Sequence, residues 1–129
     1  VTAYKVVRES AGGRLTSFLT DGEASVQYLI GEWVHAPEWL QREGYHLMVL
    51  ENPRCVREFG RILYGVEVWP CNVQIWECDV VGMLSTLPTE MLYSEWLAAG
   101  MYRPSAVLRD QWPYGTLMVE RVRLTERYS

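Results

Sequence analysis

Lysine is nearly missing from this chain of 129 residues: Lys5 is the only one, beside eleven arginines. Between Arg61 and Arg103 no basic residue occurs at all. A net charge of −4 then argues against a general affinity for nucleic acid, which needs a basic surface to displace counterions. Cysteine is scarce as well. Cys55, Cys71 and Cys78 form an odd set with no CxxC spacing, so neither a disulfide framework nor a standard zinc site is indicated. No apolar run approaches the roughly eighteen residues of a membrane span, and no basic start leads into a short apolar segment. A reduced, cytoplasmic setting without a membrane is the expectation. Missing too are a phosphate-binding glycine loop, a nucleophile–base pair at a recognised spacing and a dinucleotide fingerprint.

What the chain does have is an ordinary globular composition, 49% apolar and 22% charged, at a length that buries about two-thirds of the unfolded surface. The stretch without basic residues holds five carboxylates, Glu67, Glu77, Asp79, Glu90 and Glu95, together with Trp69, Trp76, Trp96, Tyr64, Tyr93 and Tyr102. Arg54, Arg57 and Arg61 precede it; Arg103, Arg109, Arg121, Arg123 and Arg127 follow. Segregation of this kind suits self-association or a charged partner.

Alternation predicts strands over 3–8, 14–20, 25–34, 45–51, 73–81 and 116–127. The first two are joined through Gly12 and Gly13, and Asp21-Gly22 turns the chain into the third. In the third, Tyr28, Ile30 and Val34 share a side, until Pro37 breaks the pattern. Residues 45–51 are apolar on both faces, Leu47 and Val49 against Met48 and Leu50, as in a central strand covered on both sides. Asn52-Pro53 is an N-cap followed by proline at the first helical position. It opens a helix to about residue 63, with Cys55, Val56, Phe59, Ile62 and Leu63 on one face and Arg54, Arg57 and Arg61 on the other. A second helix is expected over 89–99, from Thr89 to a stop at Gly100, and residues 100–115 read as a long loop. The expected fold is therefore one α+β domain over residues 1–129, a mostly antiparallel twisted sheet of about six strands with two main helices.

Three sets of residues could carry chemistry. Glu77 and Asp79 lie on one face of the strand 73–81, roughly 7 Å apart by strand geometry. Crowded carboxylates can act as an acid or hold a metal; the plain alternative is a solvated face or pairing with an arginine across the sheet. His35, between Trp33 and Trp39, is the candidate histidine at a pocket rim, with a satisfied structural role as its alternative. Trp33, Trp39, Trp112 and Tyr114 fall beside prolines or in loops, where they either line a ligand site or seal the sheet ends. For association, Tyr93 and Leu97 at the margin of the second helix's apolar stripe are the candidate centre of a two-fold dimer. No cofactor or metal is called for. The possible partners are a second copy, another protein or a small molecule.

Two resemblances go with this reading. Tyr-Lys-Val-Val at 4–7, Leu-Thr-Ser at 15–17, Tyr-Leu-Ile-Gly-Glu-Trp at 28–33, Gly-Tyr-His-Leu at 44–47, Ile-Trp-Glu-Cys at 75–78 and Val-Arg-Leu-Thr-Glu at 122–126 together resemble small uncharacterised α+β proteins of phage, prophage and other mobile DNA. That resemblance implies no activity. The order of Arg8, Ser17 and Glu77 is similar to the ADP-ribosyltransferase layout of a basic residue, a hydroxyl and a later strand glutamate. It departs from that layout because no E-x-E or Q-x-E ends at Glu77, and it is an analogy of layout. The leading expectation is a small binding domain that self-associates, with a small enzyme or ligand-binding protein centred on Glu77 and Asp79 as its alternative.

Overall fold

The computed structural model describes residues 2–18, 25–42, 46–64, 69–83 and 115–129. They form seven strands and two helices: β1 Thr2–Glu9, β2 Leu15–Ser17, β3 Gln27–Tyr28, β4 Trp33–Val34, α1 Glu38–Arg42, β5 Leu47–Leu50, α2 Pro53–Tyr64, β6 Val73–Met83 and β7 Thr116–Arg127. Every strand pairing is antiparallel.

The expected sheet of about six twisted strands is instead a sheet of seven that closes on itself. β1 pairs with β6, β6 with β7, β7 with β5, and β5 returns to β1 through Tyr4 and Leu50. Four strands therefore make a ring, and β2, β3 and β4 extend it from β1 and β7. The seventh strand arises because the single strand expected over 25–34 is two. Gly31 takes a positive φ of 82°, a conformation that favours glycine, and Glu32 N–H closes a turn on Leu29 O. The turn reverses the outlook of Ile30: Tyr28 is buried, whereas Ile30 is exposed and does not share its side.

The alternation of β1 distributes its side chains between two cores. Ala3, Lys5 and Val7 stand opposite Cys78, Trp76 and Gln74 of β6 and face the barrel interior, where Leu15, Tyr28, Leu47, Val49, Val119, Val122 and Leu124 complete the packing. Val6 lies opposite Ile75 and points outward. There it joins Leu50 and Val73 beneath Cys55, Val56 and Phe59 of α2. β5 is paired on both edges and apolar on both faces, as its sequence indicates. The Asn52 side chain accepts from Cys55 N–H at 3.0 Å and caps α2.

Gly60 sits in the buried face of α2 because the ring of Trp69 occupies the place of a side chain. A Cβ there would stand 2.9 Å from Trp69 Cε2. Trp69 in turn meets Phe18 and Phe59 edge-on, with ring centroids 5.5 and 5.7 Å apart. The short helix α1, which follows Pro37 and closes Gln41 N–H on Pro37 O, was not foreseen in the sequence. It buries Leu40 and brings Trp39 against the barrel core. The helix expected over 89–99 lies outside the described residues.

Candidate functional site

β4, β7 and β6 place three side chains in one row across the outer surface. Trp33 is in register with Arg123, and Arg123 with Asp79. The Arg123 guanidinium donates to Asp79 Oδ2 at 2.7 Å, and its carbon lies 4.6 Å from the centroid of the Trp33 ring. Both members of the ion pair are 38% exposed, so water screens the attraction and the pair contributes less than about 1 kcal/mol. Its effect is geometric: the ion pair fixes the guanidinium over the exposed indole of Trp33. Two of the sequence's candidates, Asp79 and Trp33, are thus brought together by Arg123, one of the arginines that follow the stretch without basic residues.

Glu77 follows a separate path. Its carboxylate accepts from the Tyr4 hydroxyl at 3.4 Å and its backbone carbonyl from Thr125 Oγ1 at 3.1 Å, while its register partner on β7 is Glu126. Arg8, Ser17 and Glu77 do not share a face. Ser17 turns into the barrel, where Val26 N–H donates to its hydroxyl, while Arg8 and Glu77 point outward four register positions apart. His35 is exposed; its Nδ1 lies 2.8 Å from Ala36 O, which Gln41 Nε2 also reaches at 2.7 Å. This is a local turn arrangement, with no carboxylate or cysteine among the described residues hydrogen-bonded in it.

The aromatic candidates divide. Trp39 packs on the core, whereas Trp33 stays 40% exposed. Trp112, Tyr114, Tyr93 and Leu97 lie outside the described residues. Beside Trp33 the structure adds two residues that are not among the sequence's site candidates: Leu29 is 50% and Ile30, expected to share a side with Tyr28, 58% exposed. The turn that carries them is fixed by the Glu32–Leu29 bond and by Gly31 N–H donating to Leu124 O at 2.9 Å. A signal was available in Leu-Ile-Gly-Glu, where a turn residue directly follows two large apolar ones.

Inside the barrel is a second polar group of residues. Lys5 Nζ donates to Met48 O at 2.6 Å and stands 5.5 Å from the centroid of the Tyr28 ring. Trp76 Nε1 donates to Gln74 Oε1 at 2.9 Å, and Gln74 Nε2 to Glu9 Oε2 at 2.8 Å, a chain leading from the interior to the exposed end of β1. Burial drives Lys5 down to about 8 and Cys78 up to about 12; Tyr28 is pushed up for the same reason.

Among the described residues no three His, Cys, Asp or Glu side chains gather to hold a metal ion, and no helix is long and apolar enough to cross a membrane. Compared with family models, curated proteins and solved structures, the chain matches none.

Proposed function

We propose that this chain is a small binding module that associates with a second copy of itself, with the turn at residues 29–32 and the neighbouring Trp33 as its anchor. The carrying observation is the exposure of three large apolar side chains, Leu29, Ile30 and Trp33, within five consecutive residues. Exposed apolar side chains are commonplace singly but mark contact surfaces when clustered and rimmed by polar groups. The two backbone hydrogen bonds across the turn and the Arg123 guanidinium under Trp33 order the cluster in advance, so association costs less side-chain entropy.

Charges of both signs surround it. Arg121 and Arg123 on β7 lie beside Asp79 on β6, which lets a two-fold contact set one copy's arginines against the other's carboxylates. Engagement of Asp79 by Arg123 favours this reading over one in which the two carboxylates perform catalysis. The resemblance to small proteins of phage and prophage belongs to the same proposal and adds no activity to it.

Light scattering over a wide concentration range tests it. The expected result is a mass rising from 15.0 kDa toward twice that value, with the rise lost in Ile30→Asp while the circular dichroism spectrum is kept. A mass constant at all concentrations overturns the proposal.

A further inference from the structure

The outer face of the ribbon formed by β6 and β7 carries opposite charge at its two ends. At one end Glu77 and Glu126 stand directly opposite each other. Like charges so placed destabilise a strand pair, and the Tyr4 hydroxyl on Glu77 offers no positive charge to offset them. At the other end Arg121 stands opposite Val81, whose side chain is 49% exposed. Among the described residues neither Arg121 nor Glu126 has an ion-pair partner. Glu77, Asp79 and Val81 alternate along β6, and residues paired directly across the strands share a face. All four end residues therefore lie on the same surface as Asp79 and Arg123.

The spacing is balanced about the centre. On β6, Glu77 and Val81 lie two positions, roughly 7 Å, to either side of Asp79. On β7, Arg121 lies two positions before Arg123 and Glu126 three beyond it, the additional residue being taken up where the register shifts between Glu77 and Cys78. A surface of this kind is complementary to itself. A two-fold axis lying between two copies, and crossing the strands at the level of Asp79, sets the Arg121 and Val81 row of each over the Glu126 and Glu77 row of the other. At the centre one neutral Arg123–Asp79 pair meets another, and Trp33 continues that row onto β4.

We propose that this face is the charged half of the contact between two copies of the chain, with Arg121 of each bridging Glu77 and Glu126 of the other. This register rests on the self-association anchored at Leu29, Ile30 and Trp33, and it supplies what that apolar cluster leaves open: which end of one copy meets which end of its partner. The contact relieves a repulsion present in each copy alone, because two carboxylates opposite each other gain a shared cation. Charges placed in this way direct encounter and register more than they add affinity, and they exclude the parallel docking in which like ends meet.

Exchange of charge tests it, with Arg121→Glu in one sample and Glu126→Arg in another. Both side chains are exposed, and circular dichroism checks that each variant keeps the parent's fold. By light scattering at low salt, each variant alone is expected to self-associate about tenfold or more weakly than the parent, because like charges then face each other across the axis. An equimolar mixture of the two is expected to regain the parent's mass, since a mixed pair sets opposite charges together at both contacts. Parent-like association of either variant alone, or a mixture no heavier than its components, overturns this register while self-association of the parent stands. A parent whose mass stays at 15.0 kDa at every concentration overturns both.

Discussion

Lys5 Nζ lies 2.6 Å from the carbonyl oxygen of Met48, and through this contact the chain's one lysine ties β1 to β5 from within the barrel. The bond satisfies a strand carbonyl at the cost of desolvating a charge. That cost determines how stability depends on pH.

In the unfolded chain Lys5 keeps its proton up to its ordinary value of 10.5; in the fold it releases it near 8. Between those values the unfolded state holds more protons, so stability rises with pH there, and below pH 8 the full burial cost remains. Cys78 works in the opposite sense. Its thiol is held protonated up to about 12 against an ordinary 9.0, so stability falls as pH climbs above 9. Urea denaturation from pH 7 to 11 is expected to show stability rising from about pH 8 to 9, levelling between 9 and about 10 where Lys5 and Cys78 oppose each other, and falling above that as the raised Tyr28 adds to Cys78.

Lys5→Met removes the first of these effects. At pH 7 the variant is expected to be more stable by roughly 1–3 kcal/mol, the relieved desolvation less the lost hydrogen bond to Met48. Its pH profile should be flat until about 9 and fall thereafter. A variant less stable than the parent at pH 7 contradicts this account.

Gly60→Ala reverses the usual effect of helix propensity. Alanine favours a helix interior by about 1 kcal/mol, but here its Cβ meets the Trp69 ring at 2.9 Å. Thermal denaturation should show a net loss of about 1–3 kcal/mol, the range for overpacking. In the double variant with Trp69→Leu the two costs should be less than additive, since the smaller side chain makes room for the methyl.

Asn52→Ala removes the acceptor for Cys55 N–H at the start of α2 and should cost about 1 kcal/mol by denaturant titration. Asp79→Asn, in contrast, should change stability by less than about 1 kcal/mol, because its ion pair with Arg123 is well exposed to water.

The sequence was most informative where one physical requirement acts locally. The cap at Asn52, the two-faced helix behind it, the doubly apolar strand at Leu47–Leu50 and the outward pair Glu77 and Asp79 all follow from spacing and propensity. It was least informative where a contact distant in sequence decides. Lys5 belongs to an alternating strand, and alternation alone would send a lysine to solvent; it is buried because α2 covers the face of Val6 while the barrel closes over the other. Arg123 became a site residue only when pairing set it between Trp33 and Asp79, partners 90 and 44 positions away. The turn at Gly31 was legible in principle, but continuous alternation on either side concealed it.

Closure of the ring also sets an order of assembly. β1 waits for β6, whose first residue is Val73, and neither β5 nor β6 is sealed until β7, Thr116–Arg127, has been synthesised. A nascent chain emerging from the ribosome therefore presents strands without partners for most of its length, a condition that invites mispairing with neighbouring chains. With so many distant pairings, spontaneous refolding belongs on the millisecond-to-second scale of β-rich domains. Truncations that stop before Thr116 should accumulate as aggregates rather than as a smaller folded core.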